Sequence, residues 1–134
     1  MNLASVRIIT KDIQPLVEFY EKVTGSSLTI YTPDFAELRT TQATLAIGST
    51  NTLALFGATN IAQPAANQSA IIEFRVEDVD SKYNEIADYI KDGLIQPPTT
   101  MPWGNRSLLF RDPDGNLVNF FTPLTADAKQ RAVS

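Results

Sequence analysis

Apolar positions along this chain change period at two aspartates, and the same change occurs twice. Residues 6–10, Val-Arg-Ile-Ile-Thr, form a short β-branched run that predicts a strand, and Asp12 then stands where a helix N-cap belongs. Leu16, Phe19, Tyr20 and Val23 recur at helical spacing, Pro15 falls in the tolerant first turn, and Gly25 supplies a stop. The second half repeats the grammar. Residues 71–76, Ile-Ile-Glu-Phe-Arg-Val, read as the strand, Asp78 as the cap, Tyr83, Ile86, Ala87 and Ile90 as the stripe, and Gly93 as the stop. Asp12 and Asp78 stand 66 residues apart, near half the chain, which points to an internal duplication.

Shorter strand-like runs follow each helix: residues 27–31, 35–39, 44–47 and 52–56 in the first half, and 94–95, 105–110 and 116–121 in the second. Residues 58–69, rich in Ala, Asn, Gln and Pro without an apolar period, read as a linker between a first module, 1–57, and a second, 70–124. Residues 125–134 read as a polar tail with a frayed end. The closing strand is the most informative. Asp112, Pro113, Asp114 and Gly115 carry turn chemistry at each position, and beyond them Leu117, Asn119 and Phe121 share one face while Val118 and Phe120 share the other. Asn119 is the polar exception on an apolar face, which marks the place where a pocket is expected.

A chain of 134 residues suits a single domain, which can bury roughly two-thirds of its unfolded surface. Cysteine and histidine are both absent, removing thiolates, disulfides, the commonest metal ligand and the commonest neutral-pH base. Without His no serine triad can be assembled, and no Gly-rich phosphate loop joins a strand to a helix. The net charge of −4 and the lack of a basic run argue against nucleic acid and anionic membranes as partners. The first residues lack a signal peptide's basic start and long apolar centre, so a cytoplasmic protein is expected.

The strand, the Asp-capped helix carrying Phe-Tyr and ending at Gly, the Phe-Ala-Glu-Leu strand and the Arg-Asp-Pro-Asp-Gly-Asn turn together resemble the vicinal oxygen chelate superfamily. That superfamily includes glyoxalase I, extradiol dioxygenases and bleomycin-resistance proteins. The resemblance spans residues 3 to 123. It implies an α+β fold in which two βαβββ modules form a curved mixed sheet around a cleft. It also implies one metal ligand on the first and last strand of each module, at positions that here hold Ser5, Leu53 or Leu55, Ile71 and Asn119. None of these is charged. Glu37 in Phe-Ala-Glu-Leu is a lone carboxylate and reads more simply as a solvent-facing strand residue. No metal and no cofactor are therefore expected, which argues against glyoxalase-type and dioxygenase-type mechanisms.

Ser5, Arg7 and Ile9 share one strand face, and Ile71, Glu73 and Arg75 share another. Arg7 and Glu73 are related by the same 66-residue offset. They are read either as a charge pair bridging the modules or as ligand-holding groups, with Arg7 on an anionic or carbonyl group and Glu73 as acceptor or candidate catalytic base. Trp103, in the Pro-rich loop, either stacks on a flat ligand or caps the core edge. Tyr31, Phe35, Met101 and Phe121 are candidate apolar lining. Ser5, Arg7, Glu73, Trp103, Asn119 and Phe121 are thus the candidate ligand-binding set. The expected function is metal-independent binding of a small molecule, in the manner of bleomycin-resistance proteins, as drug or toxic-metabolite sequestration. The alternative is a divergent lyase, isomerase or dioxygenase-related enzyme acting on a small carbonyl compound. The resemblance implies a homodimer, and the ligand's charge stays open.

Overall fold

The two twelve-residue helices each begin where an aspartate turns its side chain onto the backbone ahead of it. In the computed structural model, which describes residues 1–57 and 60–133, Asp12 accepts from Gln14 N and Asp78 from Asp80 N and Ser81 N. Each satisfies donors that the first helical turn cannot pair internally. Gly25 closes the first helix in the left-handed region at φ 73°. Ala58, Thr59 and Ser134, at the start of the expected linker and the end of the expected tail, lie outside the described residues.

The chain divides into two units, Met1–Asn67 and Gln68–Ser134, with the division inside the expected linker. In the first unit β1 (Ser5–Thr10), α1 (Ile13–Thr24), β2 (Thr29–Thr32), β3 (Phe35–Arg39) and β4 (Thr44–Ser49) form one βαβββ module. Its four strands lie in the order β1-β4-β3-β2, with β1 parallel to β4 and the other pairs antiparallel. The second unit repeats this with β5 (Ile71–Arg75), α2 (Val79–Ile90), β6 (Leu94–Thr100), β7 (Asn105–Arg111) and β8 (Leu117–Pro123), ordered β5-β8-β7-β6. The duplication read from the two aspartates and the α+β architecture of paired βαβββ modules implied by the resemblance are both observed.

Within each unit, strand alternation divides apolar from polar. Ala36, Leu38, Leu45 and Ile47 are buried on the face that α1 covers with Leu16, Val17, Tyr20 and Val23. Leu108, Phe110, Val118 and Phe120 are buried in the second unit, where α2 presents Val79, Ile86 and Ile90. The Phe110 and Phe120 rings meet edge to face at 5.1 Å.

Four expectations need correction. Residues 52–56 are not a strand: Thr50–Phe56 is a 3-10 helix, and the last strand of the first module is β4. The reason is side-chain capping, since Ser49 Oγ accepts from Asn51 N and Thr52 Oγ1 donates to Ser49 O, which closes the backbone into a turn. Residues 94–95 are the start of a seven-residue strand, β6, which tolerates Pro97 and Pro98 because it lies at the sheet edge and its register slips between Gln96 and Thr99. Helix α2 ends at Ile90, with a 3-10 turn carrying the chain to Gly93. The expected polar tail carries a helix, α3 (Ala126–Ala132), capped by Thr125 and tied to β5 by Arg75 Nη1 donating to Ala132 O at 2.6 Å.

Candidate functional site

The first unit holds a cleft of about 470 Å³ on the sheet face turned away from α1, a volume within the usual range for small-molecule sites. Its floor follows from strand register. Arg7 on β1 lies beside Ala46, and Ile9 beside Gly48, on β4; Glu37 and Phe35 of β3 flank the same two small residues from the other side. Small residues on the middle strand leave room into which Arg7 extends.

The cleft's far wall is the 3-10 helix, and Asp34 holds it in place. Asp34 Oδ1 accepts from Ser49 Oγ at 2.6 Å and from Asn51 Nδ2 at 3.1 Å, while Asp34 O accepts from Ser49 N. This clamp leaves Leu55 and Phe56 exposed at the cleft rather than in the core. The Arg7 guanidinium carbon lies 5.1 Å from the Phe35 ring centre and 5.7 Å from that of Phe56, both within cation–π range. No hydrogen bond or ion pair to Arg7 exists among the described residues. Tyr31 leans on Phe35 at 5.9 Å and donates its hydroxyl to Glu37 Oε1 at 3.0 Å. Glu37 is therefore a half-buried, hydrogen-bonded residue, not a free surface carboxylate.

In the second unit the parallel pairing of β5 with β8 places Glu73 beside Asn119. Asn119 Nδ2 donates to Glu73 Oε2 at 2.8 Å, and Asn119 Oδ1, although buried, has no hydrogen-bond partner among the described residues. Phe121 follows on the same face of β8, half-buried, opposite Arg75. Trp103 sits in the turn between β6 and β7, is 59 % exposed, and has its carbonyl held by Arg131 Nη2. Ser5 is exposed at the start of β1. Of the six candidates, then, Glu73 and Asn119 are brought into contact, Phe121 stands next to them, and Arg7 heads the cleft of the first unit. Asp34, Asn51 and Phe56 went unrecognised in the sequence. Gly57, which ends the 3-10 helix at φ 73°, was the one available signal that a strand stops there.

The topology, a βαβββ module repeated with identical strand order and Asp-capped helices, gives the fold, and a profile match over most of the chain decides the family. This chain belongs to the Glyoxalase/Bleomycin resistance protein/Dioxygenase superfamily, whose family profile matches residues 2–120. A curated relative in Bacillus subtilis (strain 168), the uncharacterized protein YraH, is 27% identical over 128 residues, covering 92% of this chain and all of that protein. A solved glyoxalase/bleomycin resistance protein/dioxygenase family enzyme from Burkholderia phytofirmans PsJN superposes with a TM-score of 0.79 at 19% identity, over 92% of this chain and 100% of its own. A glyoxalase/bleomycin resistance protein/dioxygenase from Nocardioides gives 0.74 at 21% identity, over 94% of this chain and 85% of its own. At such identities the likeness to the two solved structures is one of fold.

Membership of the glyoxalase superfamily makes the metal positions worth testing against side-chain chemistry. Register moves one of them: Asn119 pairs with Glu73, Glu73 corresponds to Arg7, and Arg7 pairs with Ala46, so Ala46 rather than Leu53 or Leu55 is the counterpart of Asn119. The four positions then hold Ser5 and Ala46 in the first unit and Ile71 and Asn119 in the second. A hydroxyl and an amide are the only polar side chains in that set, which does not suit a catalytic divalent ion. Among the described residues, no three His, Cys, Asp or Glu side chains cluster closely enough to hold one elsewhere. No described helix is long and apolar enough to cross a membrane.

Proposed function

We propose that this protein binds a small organic molecule without a metal, in the manner of the bleomycin-resistance branch of its superfamily, as drug or toxic-metabolite sequestration. The observation that carries this reading is the cleft of the first unit, where an exposed Arg7, without a hydrogen bond or ion pair among the described residues, stands beside aromatic side chains in a volume of about 470 Å³. Ligand pockets typically combine apolar walls with few polar groups that fix orientation, and this cleft has that make-up. The superfamily's habit of pairing chains supports a homodimer, the cysteine-free composition suits a reducing compartment such as the cytoplasm, and the net charge of −4 without a basic run supports a protein that binds neither nucleic acid nor membrane. Elemental analysis of untagged protein, before and after equilibration with zinc, nickel, manganese and iron, tests the metal-free reading. Absence of bound metal supports it, and tight stoichiometric metal overturns it. Sedimentation as a monomer at micromolar concentration would remove the dimer.

A second reading, a divergent lyase or isomerase acting on a small carbonyl compound, draws on Glu73. Asn119 fixes one carboxylate oxygen of an exposed side chain, leaving Oε1 able to take a proton from a substrate. Solvent-deuterium exchange beside the carbonyl of a supplied hydroxyketone, lost in Glu73→Gln, is the expected signature; exchange no faster than in buffer removes this reading.

A further inference from the structure

We infer that the ligand of the first-unit cleft is a monoanion, a carboxylate on an aromatic or otherwise apolar body, with Arg7 as its counter-charge; this rests on the small-molecule reading above.

Three observations determine the sign. First, Arg7 is the only cationic side chain among the described residues that line the cleft, and ring contacts to Phe35 and Phe56 consume none of the roughly five N–H donors that a guanidinium offers. Second, both neighbouring carboxylates already have partners and neither pairs with Arg7. Asp34 is held by Ser49 and Asn51, and Glu37 by Tyr31. Those neutral partners leave the carboxylates charged, but neither acid takes up the guanidinium's donors, which stay open to an external carboxylate. Third, Phe35, Leu55 and Phe56 line the cleft beside Arg7; Arg7, Leu55 and Phe56 are exposed in the free protein, and an apolar ligand body laid on them would exclude water and so strengthen a charge-assisted hydrogen bond to Arg7. A carboxylate matches the planar fork of a guanidinium. A phosphate monoester, about doubly charged at neutral pH, calls for a second cation, and the other charged residue lining the cleft is Asp34. A cationic ligand would have to sit against Arg7 with both acids occupied.

Three probes of similar shape separate ligand charge from ligand binding: phenylacetate, phenylacetamide and phenethylammonium, each followed by amide NMR titration of the full chain. Phenylacetate is expected to shift signals of Phe35, Asn51 and Phe56 and to bind at least about tenfold tighter than phenylacetamide. In Arg7→Met, which keeps an apolar stem beside the rings, that advantage should disappear. Equal or tighter binding of the amide or the ammonium at the same residues overturns the charge assignment while leaving small-molecule binding intact. A carboxylate preference that survives Arg7→Met also overturns it. Failure of all three probes to perturb the cleft overturns both readings.

Discussion

Gly48 and Arg7 claim the same space: a Cβ at position 48 would stand 3.0 Å from Arg7 Cδ and 3.0 Å from Thr52 Oγ1. The absence of a side chain on β4 is thus what lets the arginine lie across the sheet toward Phe35. Gly48→Val is expected to displace Arg7 and weaken binding of an anionic probe at least about tenfold, the worth of one charge-assisted hydrogen bond. Circular dichroism should keep the strand and α-helix signal of the parent, because the groups that must give way are the Arg7 side chain and the Thr52 hydroxyl at the start of the 3-10 helix. A variant that binds phenylacetate as the parent does would show that Arg7 reaches the cleft by another path.

Asp34 joins the β2–β3 turn to the 3-10 helix through Ser49 and Asn51. Asp34→Ala removes both side-chain bonds at a partly buried position, and a loss of about 2 kcal/mol in urea unfolding is expected. The same change frees Leu55 and Phe56 from their place beside Arg7. Amide exchange near residues 50–56 should quicken more than exchange in β5–β8, and uniform quickening would mean that the clamp is not local.

Gly104 has φ 94°, and a Cβ there would lie 2.2 Å from Thr125 Oγ1. Its carbonyl also accepts from Leu124 N and Thr125 N, so the turn before β7 and the cap of α3 are one assembly. Gly104→Ala is expected to cost about 1–3 kcal/mol for the backbone conformation alone, with the overlap in addition. Pairing it with Thr125→Ala in a double-mutant cycle should recover part of the loss. Strict additivity would show that the overlap is relieved elsewhere.

Hydrogen bonds from the Ser81 amide, then from its hydroxyl, hold the Asp78 carboxyl below its ordinary pKa, and the Asp80 amide adds to the effect. A carboxyl whose pKa is lower folded than unfolded stabilises the fold above the unfolded value, near pH 4, and loses that contribution as pH falls through the folded value. Asp78→Asn keeps a capping side chain without the titration. The gap between its urea midpoint and the parent's should therefore be larger at pH 6 than at pH 2.5. A gap independent of pH would remove the charge from the account.

Local chemistry made much of this protein readable in one dimension. Asp12 and Asp78 cap their helices because a carboxylate two or three residues before an amide reaches it whatever the rest of the chain does. Residues 112–116 close their turn for the same reason, Asp112 accepting from the amides of Asp114 and Asn116. Residues 52–56 misled because Leu53 and Leu55 alternate with smaller residues as strand residues do. Ser49 and Thr52 turn the backbone there locally, and Asp34, 15 residues from Ser49 and outside any local window, holds that turn against the sheet.

By its own pattern the sequence determined the paired strand-helix units, their capping aspartates, the two faces of β8 and the shortage of metal ligands, since these depend on residue type and on neighbours a few positions away. Tertiary structure alone decided that Glu73 meets Asn119 across 46 residues, that Ala46 replaces a leucine as the counterpart of Asn119, and that Arg7, Phe35 and Phe56 converge on one cleft. Those are questions of strand register, which is settled by hydrogen-bonded pairing between distant segments and which no periodicity within a single segment encodes.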